Sequence, residues 1–143
     1  DSVLDLGCGS GILSIIAMLL GAGYSVAVDI DRDAARIASE NAAKNGIPPE
    51  KYTTLVGDIL TDTALVEKIA QQRYDIILAN IVADVIIGFA PIVKTLLKPG
   101  AVFIASGIIT ERLDEVCHAL GESGFSVEKV SKKNNWAAVV ARL

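Results

Sequence analysis

Short apolar runs alternate along this chain with stretches of helical spacing, and that alternation leaves few folds open. Val3–Leu6, Ser25–Ile30, Thr53–Val56, Asp75–Ala79 and Val102–Ser106 read as strands. Between them, Ile12–Leu20, a run from Asp31 or Asp33 to Asn45, Ala64–Gln72, Val82–Leu97 and Glu111–Glu122 read as helices. Near-continuous apolar strands separated by helices are what a parallel sheet covered on both faces requires. Gly21 and Gly23, Gly46 before Pro48-Pro49, and Lys98-Pro99-Gly100 supply the helix stops. The fourth helix carries Gly88 and Pro91, which predict a bend there. Phe125–Val130 and Trp136–Ala141 form two last strands joined through Lys132-Lys133-Asn134-Asn135. So short a link permits an antiparallel hairpin and excludes a parallel crossover.

The expected fold is therefore α/β: a mostly parallel seven-stranded sheet with an antiparallel C-terminal hairpin and helices on both faces. At 143 residues the chain fits one domain, 1–143, and 52% apolar content with a net charge of −4 excludes disorder. The pI of 4.9 gives no global basic field for gripping phosphates, so direct nucleic-acid binding is not expected. The apolar run Ile76–Val93 contains Asn80, Asp84, Gly88 and Pro91, which argues for a buried strand and helix rather than a membrane span. Cys8 and Cys117 form no C-x-x-C pair, and with one histidine neither a disulfide framework nor a metal site is expected. A reducing cytoplasm is the default compartment; the sequence sets no oligomeric state. The first strand begins almost at the first residue, which is Asp1 rather than Met, so the chain reads as a domain of a longer protein lacking an N-terminal substrate-binding part.

Chemistry concentrates in Asp5-Leu6-Gly7-Cys8-Gly9-Ser10-Gly11, between the first strand and first helix. Glycines there allow a tight turn and close approach of backbone to ligand. A dinucleotide fingerprint needs a glycine where this chain has Ile12, and Asp5 would repel a pyrophosphate. A ligand with cationic groups and no phosphate suits the loop better, and S-adenosylmethionine carries an ammonium and a sulfonium. Asp29 ends the second strand, 22 positions after Gly7, where a carboxylate accepts from both ribose hydroxyls. Asp58 follows the third strand, placed to accept from an adenine amino group while Ile59 packs on the ring. Both aspartates are also ordinary helix-cap and turn residues. Asn80 follows the fourth strand at the point where strand order reverses; its amide can accept from a substrate amine. His118 reads as a solvated surface histidine, Cys8 as a packed loop residue, Cys117 as part of a core stripe and Trp136 as a sheet anchor.

These features resemble class I S-adenosylmethionine-dependent methyltransferases, with their Rossmann-like fold. DLGCGSGILSI at the start, LANI at Asn80, Ser106-Gly107-Ile108 and the Trp136 strand resemble the ribosomal protein L11 methyltransferase (PrmA) family over essentially the whole chain. The resemblance implies S-adenosyl-L-methionine as cofactor and a ribosomal large-subunit protein as partner, trimethylated on lysines and its N-terminal amine. It implies that a separate N-terminal domain grips that substrate. The cofactor-contacting set is then Asp5, Gly7, Gly9, Gly11, Asp29, Ile30, Asp58, Ile59 and Asn80, with Asn80 also the catalytic residue. A nicotinamide-dependent dehydrogenase, a methyltransferase acting on a small molecule, a glutamine amide or a base, and a non-catalytic cofactor-binding module are the rival readings.

Overall fold

The computed structural model describes residues 1–143 and arranges seven strands in the order β3-β2-β1-β4-β5-β7-β6. The strands are β1 (Ser2–Leu6), β2 (Tyr24–Asp29), β3 (Tyr52–Val56), β4 (Tyr74–Asn80), β5 (Leu97–Ile109), β6 (Ser126–Lys133) and β7 (Trp136–Arg142). The helices are α1 (Ile12–Leu19), α2 (Arg32–Lys44), α3 (Thr63–Ile69), α4 (Ala83–Leu96) and α5 (Leu113–Glu122). β1 to β5 are parallel, whereas β7 runs antiparallel to both β5 and β6.

β1 lies inside the sheet, between β2 and β4, because helices cover both of its faces; Val3, Leu4 and Leu6 are fully buried. Side chains alternate between two cores, as the pleat dictates. Val26 and Val28 join the larger core with Ile86, Phe89 and Val93 of α4 and Val116 and Leu120 of α5. Ala27 joins the smaller one with Ile15 of α1, Ala38 and Ala42 of α2, and Tyr52. Beyond α1 the same face is more open. A groove of about 410 Å³ runs between Ile16 and Ala17 of α1 and Ile76 and Ile104 of the sheet.

Several boundaries differ from the sequence reading, each for a local reason. α3 spans Thr63–Ile69 instead of Ala64–Gln72, because the Asp62 carboxylate caps it by accepting from the Leu65 amide at 3.0 Å. α4 continues through Pro91. Six buried side chains along it, Ala83 to Leu96, outweigh the roughly 3 kcal/mol that an interior proline costs. β5 is far longer than Val102–Ser106. It begins at Leu97, opposite Tyr74, bulges through Lys98-Pro99-Gly100, and re-enters the ladder at Val102, opposite Ile76. β6 extends to Lys133, leaving only Asn134-Asn135 as the hairpin turn, with Asn134 in the left-handed conformation that asparagine tolerates.

From β1 the chain winds outward through β2 to β3, then returns to β4 on the other side of β1. The crevice at the carboxyl ends of β1 and β4 is the place where such sheets bind ligands.

Candidate active site

The loop leaving β1 is pinned from three directions. The amides of Gly7 and Cys8 both donate to the Val28 carbonyl, at 2.9 and 3.0 Å. Gly9 N–H donates to Asp29 Oδ2 at 2.8 Å. Gly11 caps α1 in a left-handed conformation, φ +82°. Two of the glycines have no room for a side chain. A Cβ on Gly7 would lie 2.5 Å from Ile81 Cγ2, and one on Gly11 would lie 2.6 Å from the Tyr52 hydroxyl.

Beneath the loop lies a buried polar network. Ser14 N–H donates to Asp5 Oδ2 at 3.2 Å, and Ser14 Oγ donates to the Gly11 carbonyl at 3.1 Å. The Ser14 hydroxyl has spent its one hydrogen, so Tyr52 Oη donates to Ser14 Oγ across 2.8 Å. Burial pushes the Tyr52 phenol up to about 12 and also raises Asp5, with the Ser14 hydrogen bonds opposing the latter. Burial, then the neighbouring Asp5 and Asp29 charges, push the Cys8 thiol up to about 12, so Cys8 is a protonated packing residue.

In front of the loop is a cavity of about 280 Å³. Gly7, Asp29, Ile30, Asp58 and Ile59 line it, and α4 closes it with Val85 and Phe89. Its only charged wall residues are Asp29 and Asp58; no lysine or arginine lines it. Asp29 is held at both oxygens, Oδ2 by Gly9 and Oδ1 by the Asp31 amide at 2.9 Å. Each carboxylate oxygen keeps a lone pair for a further donor. Asp58 Oδ1 accepts from the Leu60 amide at 2.9 Å, an Asx turn that leaves Oδ2 free. Two carboxylate acceptors among apolar walls repel a pyrophosphate and accept from hydroxyl and amino groups. That chemistry fits the ribose, adenine and cationic groups of S-adenosylmethionine.

Asn80 is not a wall of this cavity. It lines an adjoining open groove of about 400 Å³ with Ile81, Val82, Gly107 and Trp136. Ile81 belongs to both spaces and is the wall between them. Asn80 is exposed on this groove and its carboxamide makes no side-chain hydrogen bond, so both ends are available to a ligand.

Four residues sit differently from the places expected of them. Asp5 is 1% exposed and turned toward Ser14, so it organises the loop from behind and does not wall the cavity. Gly11 likewise shapes the start of α1 against Tyr52, while Gly9 orients Asp29. Trp136 is 55% exposed and is no sheet anchor: it begins β7 opposite Ile109, at the sheet's carboxyl end, and lines the Asn80 groove. Residues missed in the sequence are Val85 and Phe89, whose i, i+4 spacing on α4 is their signal, and Gly107, which lines the Asn80 groove. His118 is exposed and sits 3.4 Å from Glu122, remote from both spaces.

Comparison with known proteins agrees with this geometry. A family model described as ribosomal protein L11 methyltransferase (PrmA) matches residues 1–143. The ribosomal protein L11 methyltransferase of Agathobacter rectalis is 41% identical over 141 residues, covering 99% of this chain and 44% of the relative. That of Heliobacterium modesticaldum is 46% identical over 140 residues, covering 98% of this chain and 42% of the relative. The chain thus spans less than half the length of these curated relatives. The crystal structure of a ribosomal protein L11 methylase from Lactobacillus delbrueckii subsp. bulgaricus superimposes with a TM-score of 0.87 at 31% identity, over 98% of this chain and 68% of that one. A glycopeptide N-methyltransferase complexed with S-adenosyl-L-methionine shares the fold, with a TM-score of 0.72 at 15% identity over 99% of this chain and 86% of that one. By the family match along its whole length and its identity to these relatives, the chain belongs to the ribosomal protein L11 methyltransferase (PrmA) family.

Proposed function

We propose that this chain is the cofactor-binding and catalytic part of a longer protein that methylates amino groups of ribosomal protein L11, lysines and the N-terminal amine, using S-adenosylmethionine. The remaining length of that protein would grip the substrate. The observation that carries the reading is the shared wall at Ile81: an acid-lined cavity on one side, an open groove with a free carboxamide on the other. Such a pair of spaces separates two reactants while letting them meet at one edge.

When bound, S-adenosylmethionine supplies a methyl group activated by a sulfonium charge. The chain's own part is to bind, orient and desolvate. Asp29 accepts from the ribose hydroxyls, in a position fixed by Gly9. Asp58 accepts from the adenine amine while Ile59 and Phe89 enclose the ring. In the groove, Asn80 Oδ1 accepts an N–H of the incoming amine, which turns the nitrogen lone pair toward the cavity. A lysine amine has an ordinary pKa of ~10.4, and the apolar walls of Ile81, Val82 and Trp136 favour the neutral, nucleophilic form by desolvation. No side chain on the groove is a strong base. Positioning therefore carries the catalysis, for which well-oriented reactants gain up to ~7–11 kcal/mol.

No helix of the chain is long and apolar enough to cross a membrane. A ribosomal-protein substrate and two free cysteines suit a reducing cytoplasm.

The test is methyl transfer by the full-length protein to purified ribosomal protein L11, followed by intact-mass measurement. Mass increments in steps of one methyl, and their loss in Asn80→Ala with S-adenosylhomocysteine affinity preserved, are expected. An Asn80→Ala enzyme with the parent's turnover removes Asn80 from the chemistry. An unmodified L11 in the presence of folded, cofactor-binding enzyme removes it as the substrate.

A further inference from the structure

We infer that Gly107 is the positioning residue for the Asn80 carboxamide, and that its missing side chain sets where the amine is held. The inference rests on the proposed role of Asn80 and deepens it.

β5 steps from Ala105 to Ile108 while β7 steps only from Val139 to Ala137, so one extra residue bulges at Ser106-Gly107. Bulges re-aim what they carry. Here the bulge turns the backbone of β5 toward the segment that follows β4. The Ser106 carbonyl accepts from the Ile81 amide at 3.2 Å, and Gly107 adopts a left-handed φ of +76°. A Cβ at Gly107 would lie 2.7 Å from Asn80 Oδ1, 3.0 Å from the Ile81 carbonyl oxygen and 3.1 Å from the Ile81 nitrogen. Ordinary van der Waals contact starts at 3.4 Å, so the amide oxygen would have to move by about 0.7 Å.

The Asn80 carboxamide is exposed and held by no side-chain hydrogen bond, while the Asn80 backbone pairs with Ser106. Its Oδ1 instead sits over the bare backbone of Gly107, in the space that a Cβ there would need. On the opposite side, Gly7 meets Ile81 with the same lack of room. Asn80-Ile81 is thus seated in a slot between two glycines: Gly7 bounds the cofactor cavity and Gly107 bounds the amine groove. A side chain at 107 would push Oδ1 off the line to the amine and narrow the groove, leaving the cofactor's contacts at Asp29 and Asp58 in place.

A double-mutant cycle on the full-length enzyme tests this, using Asn80→Ala, Gly107→Ala and the pair. Gly100→Ala is the control for backbone strain, since Gly100 has nearly the same φ, +75°, and nothing within 4 Å of its Cβ position. Turnover on L11, KM, S-adenosylhomocysteine affinity and Tm are measured for each. A sub-ångström misplacement of a positioning group predicts a fall in kcat of at least about tenfold for Gly107→Ala, with cofactor Kd within about threefold of the parent. Gly100→Ala keeps kcat within about twofold. In the Asn80→Ala background Gly107→Ala adds less than about twofold, because the group it displaces is gone. Parent-like kcat in Gly107→Ala, or losses that multiply in the pair, overturns the inference. The overlaps with the Ile81 backbone at 3.0 and 3.1 Å remain in the pair, so should Gly107→Ala prove too unstable to assay, Tm is the readout: the pair is expected to recover part of the single variant's loss, and a pair no more stable than Gly107→Ala overturns the inference. Parent-like turnover in Asn80→Ala sinks the amine-site reading itself and this inference with it. An inactive Asn80→Ala beside an active Gly107→Ala sinks this inference alone.

Discussion

Asp29 offers the sharpest energetic test of the cofactor cavity, because its carboxylate is committed on both sides before any ligand arrives. Oδ2 accepts from Gly9 and Oδ1 from Asp31, both across less than 3 Å. Asp29→Ala removes these two bonds together with the acceptors proposed for the ribose. The two amides are at a half-exposed site and regain water, so the loss of stability is modest, about 1–2 kcal/mol. The loss in cofactor binding is larger. Two hydrogen bonds to a charged acceptor vanish and the Gly9 loop loses its tether, which together amount to about 2–3 kcal/mol, or roughly 30- to 150-fold in Kd. Asp29→Asn keeps one acceptor and gives an intermediate loss. Calorimetric titration with S-adenosylhomocysteine, with Tm measured alongside, reads both quantities. A folded Asp29→Ala protein that binds within threefold of the parent would refute the ribose assignment and the role given to the Gly9 tether.

Three further outcomes are expected. Gly7→Ala forces a side chain to within 2.5 Å of Ile81 Cγ2 at φ +72°, so it destabilises by about 1–3 kcal/mol in urea titration and weakens S-adenosylhomocysteine binding; unchanged stability would show that Ile81 is free to move. Tyr52→Phe deletes the donor to Ser14 Oγ beneath the loop and lowers stability by about 1 kcal/mol while leaving the cavity walls untouched; a gain in stability would refute the network. Lys98, at 2.7 Å, and the Ser2 amide hold the Asp75 carboxyl down to about 2 from an ordinary 3.8. Because its folded value lies below its unfolded one, this contribution is fully present above pH 4 and is lost as pH falls toward 2. Tm against pH should therefore fall less steeply through that window in Asp75→Asn than in the parent; identical slopes would contradict the linkage.

Much of the architecture was legible in the chain because burial on both faces writes strands as apolar runs. Val3–Leu6 and Asp75–Ala79 stood out for that reason, and the reversal of strand order between them located the crevice. Asp29, Asp58 and Ile59 were legible because strand ends are where an open α/β sheet exposes side chains to a ligand. The rest depended on tertiary contacts that no local pattern carries. Asp5 looked like a ligand group from its place beside the glycines, but the pleat turns it inward under α1, where Ser14 receives it. Trp136 looked like a sheet anchor, yet the register of β7 against Ile109 leaves it at the rim of the groove. Lys98-Pro99-Gly100 ended a helix as expected, and its strand character arises only because β4 pairs on both sides of the bulge. Gly107 read as part of a family pattern, and its meaning lies in a clash with Asn80 that only the folded chain brings about.

Whether the acid-lined cavity takes S-adenosylmethionine and not a dinucleotide is tested most directly by a parallel titration. S-adenosylhomocysteine and NADH are titrated separately into the folded protein by calorimetry. Saturable binding of S-adenosylhomocysteine with no heat from NADH is the predicted result. Saturable NADH binding with none for S-adenosylhomocysteine would contradict it, returning the glycine loop to the dehydrogenase reading.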